Sequence, residues 1–497
     1  MAVDWLGPGV PWAAVAVAVP LAASLLASLS ARMGAALAWP VALAGLAVAA
    51  AATAQVATHG PVGVAVGGWG PPLGIMLRLD GLACAFLVTG ALVAWAALVH
   101  ARADLHPGTG PPGRKAWAFW PLAYALLAAL NAGFVGADLF NLYVALELLT
   151  IAAVALVALE GSRAALAAAI RYLLFALAGS LAYLLGVVIV YGGAGTLDLA
   201  LLGQLPAGEQ VPPLAIGLMT AGLMAKAALF PFHGWLPAAH ASAPAAASAL
   251  LSALVVKVPF VILLRLWGET ATGVAPLLLA QGLGVLGLAG MVLGGVMAWR
   301  QERLKLVIAY STVAQLGYLL FIFPLALGPG TGEWRAVAWS GVVFHALAHA
   351  LAKGAMFLSA GAMAQALGHD RVDDLTGMGR VLPISAFAFG IAAVSLMGLP
   401  PSGGFLAKYL LLPAAWASGQ WWWAVAMLAG GLMAAAYLFR PLSRLLEAGQ
   451  PETVAQVPRA RQALALVLAL ASVALGLLSA GPFKLLQQGR PLPWEAA

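Results

Sequence analysis

About fourteen apolar segments of roughly 20 residues each, long enough to cross a hydrocarbon layer, run through this chain of 497 residues,. They lie near 10–30, 36–57, 79–100, 116–136, 138–160, 168–192, 212–236, 244–267, 276–299, 304–325, 336–366, 381–413, 421–441 and 462–483. Only short loops separate them, so one membrane domain over 1–497 is expected and no soluble one. With 63% hydrophobic and 8% charged residues, the chain could not solvate a globular surface of this size; a bundle with lipid as its solvent needs no more charge. The expected fold class is an all-α polytopic membrane protein. Residues 11–29 have the length of a signal peptide. Asp4 is the only charge ahead of them and more apolar segments follow, so a first transmembrane helix is expected instead,.

The single cysteine, Cys84, sits in an apolar run, which excludes a disulfide framework or a thiolate metal site,. There is no Gly-rich phosphate loop and no zinc-spaced His/Cys cluster, so no cofactor and no metal is expected. The net charge of +7 does not point to nucleic acid, because the basic residues are scattered in short loops. Every second loop is basic. Arg32, then Arg102, Arg114 and Lys115, then Arg163 and Arg171 mark one side. Arg300, Arg303 and Lys305, then Arg371 and Arg380, then Arg440, Arg444, Arg459 and Arg461 continue it. The intervening loops hold mainly Asp198, Glu209, Glu269 and Glu333, with Arg78 and Arg335 as exceptions. The basic set should be cytoplasmic and both termini outside.

Against this background Lys226, Lys257, Lys353, Lys408 and Glu147 stand inside apolar segments. An ionisable group in hydrocarbon costs several kcal/mol and is kept mainly where it faces a wet, protein-lined path. Five such groups in five segments read as a proton or ion route. Two of the segments are also broken. One carries Lys226 followed by Phe230-Pro-Phe-His233 and Pro237; the other carries Gly398-Leu-Pro-Pro-Ser-Gly-Gly-Phe405 and then Lys408. Proline removes a backbone donor, and such breaks at membrane depth persist only where they line protein or water. Two broken helices with a lysine beside each break suggest two related halves, as in inverted-repeat transporters.

In the eleventh segment His345, His349 and Lys353 are spaced by four. This puts them on one helical face about 6 Å apart per step, a ladder about 12 Å tall. Histidine titrates near neutrality and can pass protons either way. A lone membrane histidine is more often a hydrogen-bonding helix contact, and a metal site on this pair has no carboxylate or third histidine nearby. Glu147, left unpaired, would be driven to its neutral form; paired with Lys226 it becomes a switch or a static buried ion pair. Lys226 and Lys257 occupy consecutive spans without a carboxylate in either, so desolvation and mutual repulsion favour the neutral amine. The same reasoning applies to Lys408. Asp138, Arg265 and Lys305 lie near segment ends and are expected as interface anchors. Trp421, Trp422 and Trp423 read as an aromatic belt, and the glycines from Gly282 to Gly295 as a close-packing surface.

Several runs carry a family resemblance. They are Asp138-Leu-Phe-Asn-Leu-Tyr-Val-Ala-Leu-Glu147, Lys226-Ala-Ala-Leu-Phe-Pro-Phe-His233-Gly-Trp-Leu-Pro237, and Ala243-Pro244 through Lys257. Leu304-Lys305 through Gly317-Tyr318, the His345/His349/Lys353 ladder and Gly398-Leu-Pro-Pro through Lys408 follow in order. Over about residues 70–440 the chain resembles the antiporter-type subunits of the complex I and Mrp cation/proton antiporter superfamily. Gly67-Gly-Trp-Gly-Pro-Pro-Leu-Gly-Ile75 ahead of Asp80 looks most like the D-type subunits of Mrp sodium/proton antiporters. Ala238 departs from relatives with Asp after Leu-Pro. The resemblance implies fourteen helices and two inverted five-helix repeats, with helices seven and twelve broken. Helices 1–3 would occupy 1–115, the first repeat (helices 4–8) 116–267, the second (helices 9–13) 276–441, and helix 14 residues 462–483. It also implies a coupling pair of Glu147 and Lys226, a bridge of Lys257 with His345, His349 and Lys353, and a terminal proton site at Lys408.

The expected function is proton translocation within a multisubunit monovalent cation/proton antiporter of a bacterial or archaeal cell membrane. Its partners would be other membrane subunits, protons, sodium or potassium, and lipid, with no nucleic acid. The alternative places the same module in a redox-driven complex, of complex I or membrane-bound hydrogenase type, or in an inorganic-carbon uptake complex. With no redox centre, the chain is not expected to be an enzyme by itself; under the alternative it would be part of a translocase. A third reading, a scaffold whose buried charges only pin helices, predicts that Lys226→Ala and Lys257→Ala lose assembly rather than transport.

Overall fold

The structure is a computed structural model that describes residues 10–105, 113–206, 210–270, 277–328, 332–452 and 454–491. Asp4, Glu209 and both chain ends lie outside the described residues. The fold is all-α and polytopic. Among the described residues, eleven helices are long and apolar enough to cross a membrane, alongside the shorter apolar helices Trp12–Ala27, Pro213–Lys226 and Pro383–Met397.

In chain order the helices that matter here are α1 (Trp12–Ala27), α2 (Ala38–His59), α3 (Gly81–Leu105), α4 (Arg114–Val135), α5 (Leu139–Ala158) and α6 (Arg163–Ala194). Next come α7 (Pro213–Lys226), the short α8 (Leu236–Ser242), α9 (Ala245–Glu269), α10 (Leu277–Trp299), α11 (Leu304–Leu327) and α12 (Gly332–Leu367). The last four are α13 (Pro383–Met397), α14 (Gly403–Ala417), α15 (Trp421–Leu446) and α16 (Arg459–Leu477). The ends follow local chemistry. Asp138 accepts from the Asn141 N–H to start α5, Ser162 does the same for Ala165 in α6, and Ser402 for Phe405 in α14,. Gly195 and Gly398 adopt positive φ where α6 and α13 stop,.

The two broken segments are split as their prolines and glycines predict. α7 stops at Lys226 and α8 resumes at Leu236; α13 stops at Met397 and α14 resumes at Gly403. Three features were not readable from the periodicity. A two-stranded antiparallel hairpin, β1 (Val62–Ala65) with β2 (Met76–Leu79), pairs Val62 with Leu79 ahead of α3. α9 contains a π-helical turn over Leu251–Val255. The last expected segment ends at Leu477, and a separate short helix, Ala480–Leu486, follows.

Packing places α9 and α12 at the centre. Residues 245–268 of α9 and 338–363 of α12 are buried throughout, so these helices see protein rather than lipid. α12 is a single helix about 54 Å long at 1.5 Å per residue, packed against α13, α14 and α16. α6 meets α7 at two glycines: a Cβ on Gly222 would lie 2.4 Å from the Gly179 carbonyl oxygen. α10 meets α11 similarly, with a Cβ on Gly287 reaching 2.5 Å from the Gly317 carbonyl oxygen. Within the glycine run read as a packing surface, Gly282 instead faces open space.

Candidate functional site

Glu147 projects from the middle of α5, and Lys226 is the last residue of α7. The close α6–α7 crossing brings Lys226 to α5: its Nζ lies 2.9 Å from Glu147 Oε1 and donates to Thr150 Oγ1 at 2.9 Å and to the Leu146 carbonyl at 3.4 Å. Ser180 on α6 also donates to Glu147. The lysine is buried, while the Glu147 side chain keeps 22% exposure. After Lys226 the chain turns through Ala228 at φ +53°, a region that non-glycine residues seldom occupy. Trp235 fixes the turn by donating its indole N–H to the Ala225 carbonyl at 3.0 Å, so the ammonium stands where the helix ladder has ended.

Lys257 lies two residues past the end of the π turn of α9. Its Nζ lies 2.8 Å from His349 Nδ1 and donates to the Ser252 carbonyl at 3.3 Å, an oxygen within that turn. On α12 the rings of His349 and His345 are 6.3 Å apart. His345 Nε2 lies 3.1 Å from the Gln315 carbonyl, and its ring is 5.1 Å from Tyr318. Lys408 Nζ stands 5.2 Å from the centre of the same Tyr318 ring, within cation–π range. It also donates to the Met397 carbonyl at 2.7 Å, one of the oxygens freed where α13 ends,. Lys257, His349, His345, Tyr318 and Lys408 therefore form one line of contacts from the centre of the bundle to the second break.

Lys353 shares the α12 face but turns to α11, donating to the Ile308 carbonyl at 2.9 Å and to Ser311. Among the described residues no hydrogen bond or ion pair joins the Glu147–Lys226 pair to Lys257. The structure thus brings the predicted residues together as two groups, the α5–α7 pair and the α9–α12–α14 line.

Sequence reasoning missed several buried polar side chains around these groups. His240 on α8 is fully buried, stacks 4.7 Å from Phe357, and has no hydrogen-bond partner on either ring nitrogen. The signal available in the sequence was its position just after the first break, in the Leu236–Ser242 stretch. Tyr318 ends the Leu304–Tyr318 run that carries the family resemblance, but nothing in that run assigns it a role. Arg265 is not an interface anchor: it is 0% exposed and holds Asp80 with Nη1–Oδ2 2.6 Å and Nη2–Oδ1 3.0 Å. Arg78 bonds Glu269 at the same end of α9. The partners are 185 and 191 positions apart in sequence, beyond what any local pattern carries. Asp138 serves as a helix cap, Lys305 donates to the Ala243 carbonyl at 3.0 Å, and Trp423 is buried against Gln281 at 3.2 Å while Trp421 and Trp422 stay exposed.

Comparison with known proteins agrees with this architecture. The family described as "NADH:quinone oxidoreductase/Mrp antiporter, TM" matches residues 136–434. NADH-quinone oxidoreductase subunit N of Desulforudis audaxviator is 38% identical over 84% of this chain and 82% of its own length. The D subunit of the Na(+)/H(+) antiporter of Alkalihalophilus pseudofirmus is 30% identical over 74% and 72%. A chain of the membrane-bound sulfane sulfur reductase, an archaeal respiratory membrane complex, superposes with a TM-score of 0.87 at 25% identity, covering 97% of this chain and 98% of that one. This polytopic integral membrane protein belongs to the NADH:quinone oxidoreductase/Mrp antiporter family, as an antiporter-like subunit of membrane-arm type.

Proposed function

We propose that this chain translocates protons along the Glu147–Lys226 pair, the Lys257–His349–His345 line with Lys353 beside it, and Lys408. The observation that carries the reading is the Lys257 Nζ–His349 Nδ1 contact of 2.8 Å, at the centre of a bundle whose helices are buried there on every side. The contact sets two groups able to exchange a proton within hydrogen-bond reach, in a site from which lipid is excluded. Releasing Lys226 from Glu147 removes the counter-charge, and the lysine then favours loss of its proton toward the bundle centre. The two halves, 116–267 and 276–441, act as inverted repeats, each ending its proton path at a broken helix. The basic loops face the cytoplasm of a bacterial or archaeal cell and both termini face outside.

The module works within a multisubunit complex. As part of a monovalent cation/proton antiporter, it is driven by exchange against sodium or potassium, the reading that the motif resemblance to the Mrp D-type subunits supports. The higher identity to NADH-quinone oxidoreductase subunit N, 38% against 30%, favours a second reading, in which electron transfer elsewhere in the complex drives the same axis. Proton flux in everted vesicles separates them, comparing wild type and Lys226→Ala at equal complex assembly. Sodium- or potassium-dependent flux that Lys226→Ala abolishes supports the antiporter. Flux that needs an electron donor and ignores the cation supports the redox-driven pump. Unchanged flux in the variant removes Lys226 from the route.

A further inference from the structure

A groove of about 610 Å³ runs between α13 and α15 to the side of α16. Its floor is Gly390, where even an added Cβ would only reach 3.5 Å from Leu442 Cδ1. Val394, Val473 and Pro401 close its inner end, and Arg380 stands at its mouth. The mouth lies at the basic face, where α15 ends and α13 begins. From Pro383 to Val394 the groove follows α13 for about 16 Å at 1.5 Å per residue,. One leaflet of hydrocarbon is about 15 Å deep, so the groove spans the distance from headgroup level to the bilayer midplane.

The charges at the mouth are unequally matched. Glu447 is taken by Arg444 at 2.9 Å and by Thr376 at 3.3 Å; Asp373 lies 3.4 Å from Arg440 and 3.9 Å from Arg444. Arg380 is exposed and has no ionic partner among the described residues. An unpaired guanidinium at headgroup level above a one-leaflet apolar groove is complementary to an anionic phospholipid. Guanidinium binds phosphate bidentately, and a basic surface at the cytoplasmic leaflet attracts anionic lipid.

We propose that this groove is a specific site for an anionic phospholipid, with its phosphate on Arg380 and one acyl chain lying along α13 to Pro401. The chain end then covers the break that precedes Lys408, closing that side of the site to the bilayer. Phe387, 62% exposed on the groove edge, is placed to report the occupant.

The test installs a photoreactive benzophenone side chain at position 387 of the full chain, in its native membrane and complex, and identifies the adduct by mass after illumination. Position 432, where Leu432 is 76% exposed on α15, serves as the reference for ordinary lipid contact. The expected result is a phospholipid adduct at 387 with anionic headgroups enriched several-fold over position 432. That enrichment should be lost in Arg380→Gln and kept in Arg380→Lys, with complex assembly verified for each. A polypeptide adduct at 387, headgroups matching those at 432, or enrichment unaffected by Arg380→Gln would each overturn the proposal.

Discussion

At the scale of single residues, the buried charges fall into a pair with one partly exposed partner and a clamp with both sides enclosed. Glu147 holds Lys226 together with a serine and a threonine, and it keeps some exposure. Glu147→Gln should leave the complex assembled and reduce proton flux by an order of magnitude or more, checked in vesicles. Arg265 and Asp80 are fully enclosed. Arg265→Met should lower stability, read as a fall in thermal unfolding temperature in detergent, by less than the about 3–5 kcal/mol of a wholly uncompensated buried charge, because Arg78 Nε still stands 3.2 Å from Asp80 Oδ2; Arg265→Met combined with Asp80→Asn should recover part of the loss. Burial alone would raise the Asp80 carboxyl, but Arg265 and Arg78 outweigh it and hold it below the usual carboxylate range. A depressed folded value means that the stability is complete above the unfolded value of about 3.9 and fades as pH falls through the folded one. The stability difference between wild type and Asp80→Asn should therefore be equal at pH 8 and pH 5 and shrink only below about pH 4. The membrane lysines and Glu147 were legible in the sequence because each is an isolated charge in an apolar run. Asp80 and Arg265 were not, because each sits at a segment end, where a charge is ordinary, and only folding shows that they meet.

At the scale of elements, the site depends on how closely α6 and α7 cross. A Cβ at Gly222 would collide with the Gly179 carbonyl oxygen at 2.4 Å, whereas one at Gly217 on the same helix meets nothing within 4 Å. Gly222→Leu should force the helices apart, carry Lys226 away from Glu147 and abolish flux with partial loss of assembled complex. Gly217→Ala should keep full flux and match or exceed wild-type stability, since alanine is better than glycine inside a helix by about 1 kcal/mol. Assembly measured beside flux for both variants checks the contrast. The breaks at Lys226 and Met397 were readable because proline and glycine announce them. The π turn in α9 was not: Leu251-Ser-Ala-Leu-Val255 carries no breaker, and its register is set by the neighbours that enclose it. The hairpin strands are four residues each, too short for alternation to stand out between two long apolar runs.

At the scale of the whole molecule, the titratable groups have two kinds of mechanical support. His345, His349 and Lys353 ride on one uninterrupted helix enclosed on all sides, whereas Lys226 and Lys408 sit beside places where the helix ladder is interrupted. The arrangement resembles a fixed rail with a spring contact at each end. On the proposed route, making or breaking the proton path needs only a few residues at a helix terminus to move, while the halves of the bundle stay docked. Hydrogen–deuterium exchange of the assembled complex checks this: amides of 338–363 should exchange slowly and unchanged across working conditions, with differences confined to about 227–232 and 398–402. Exchange that rises together across a whole half would mean that the bundle rocks as a body, and the rail itself would be the moving part.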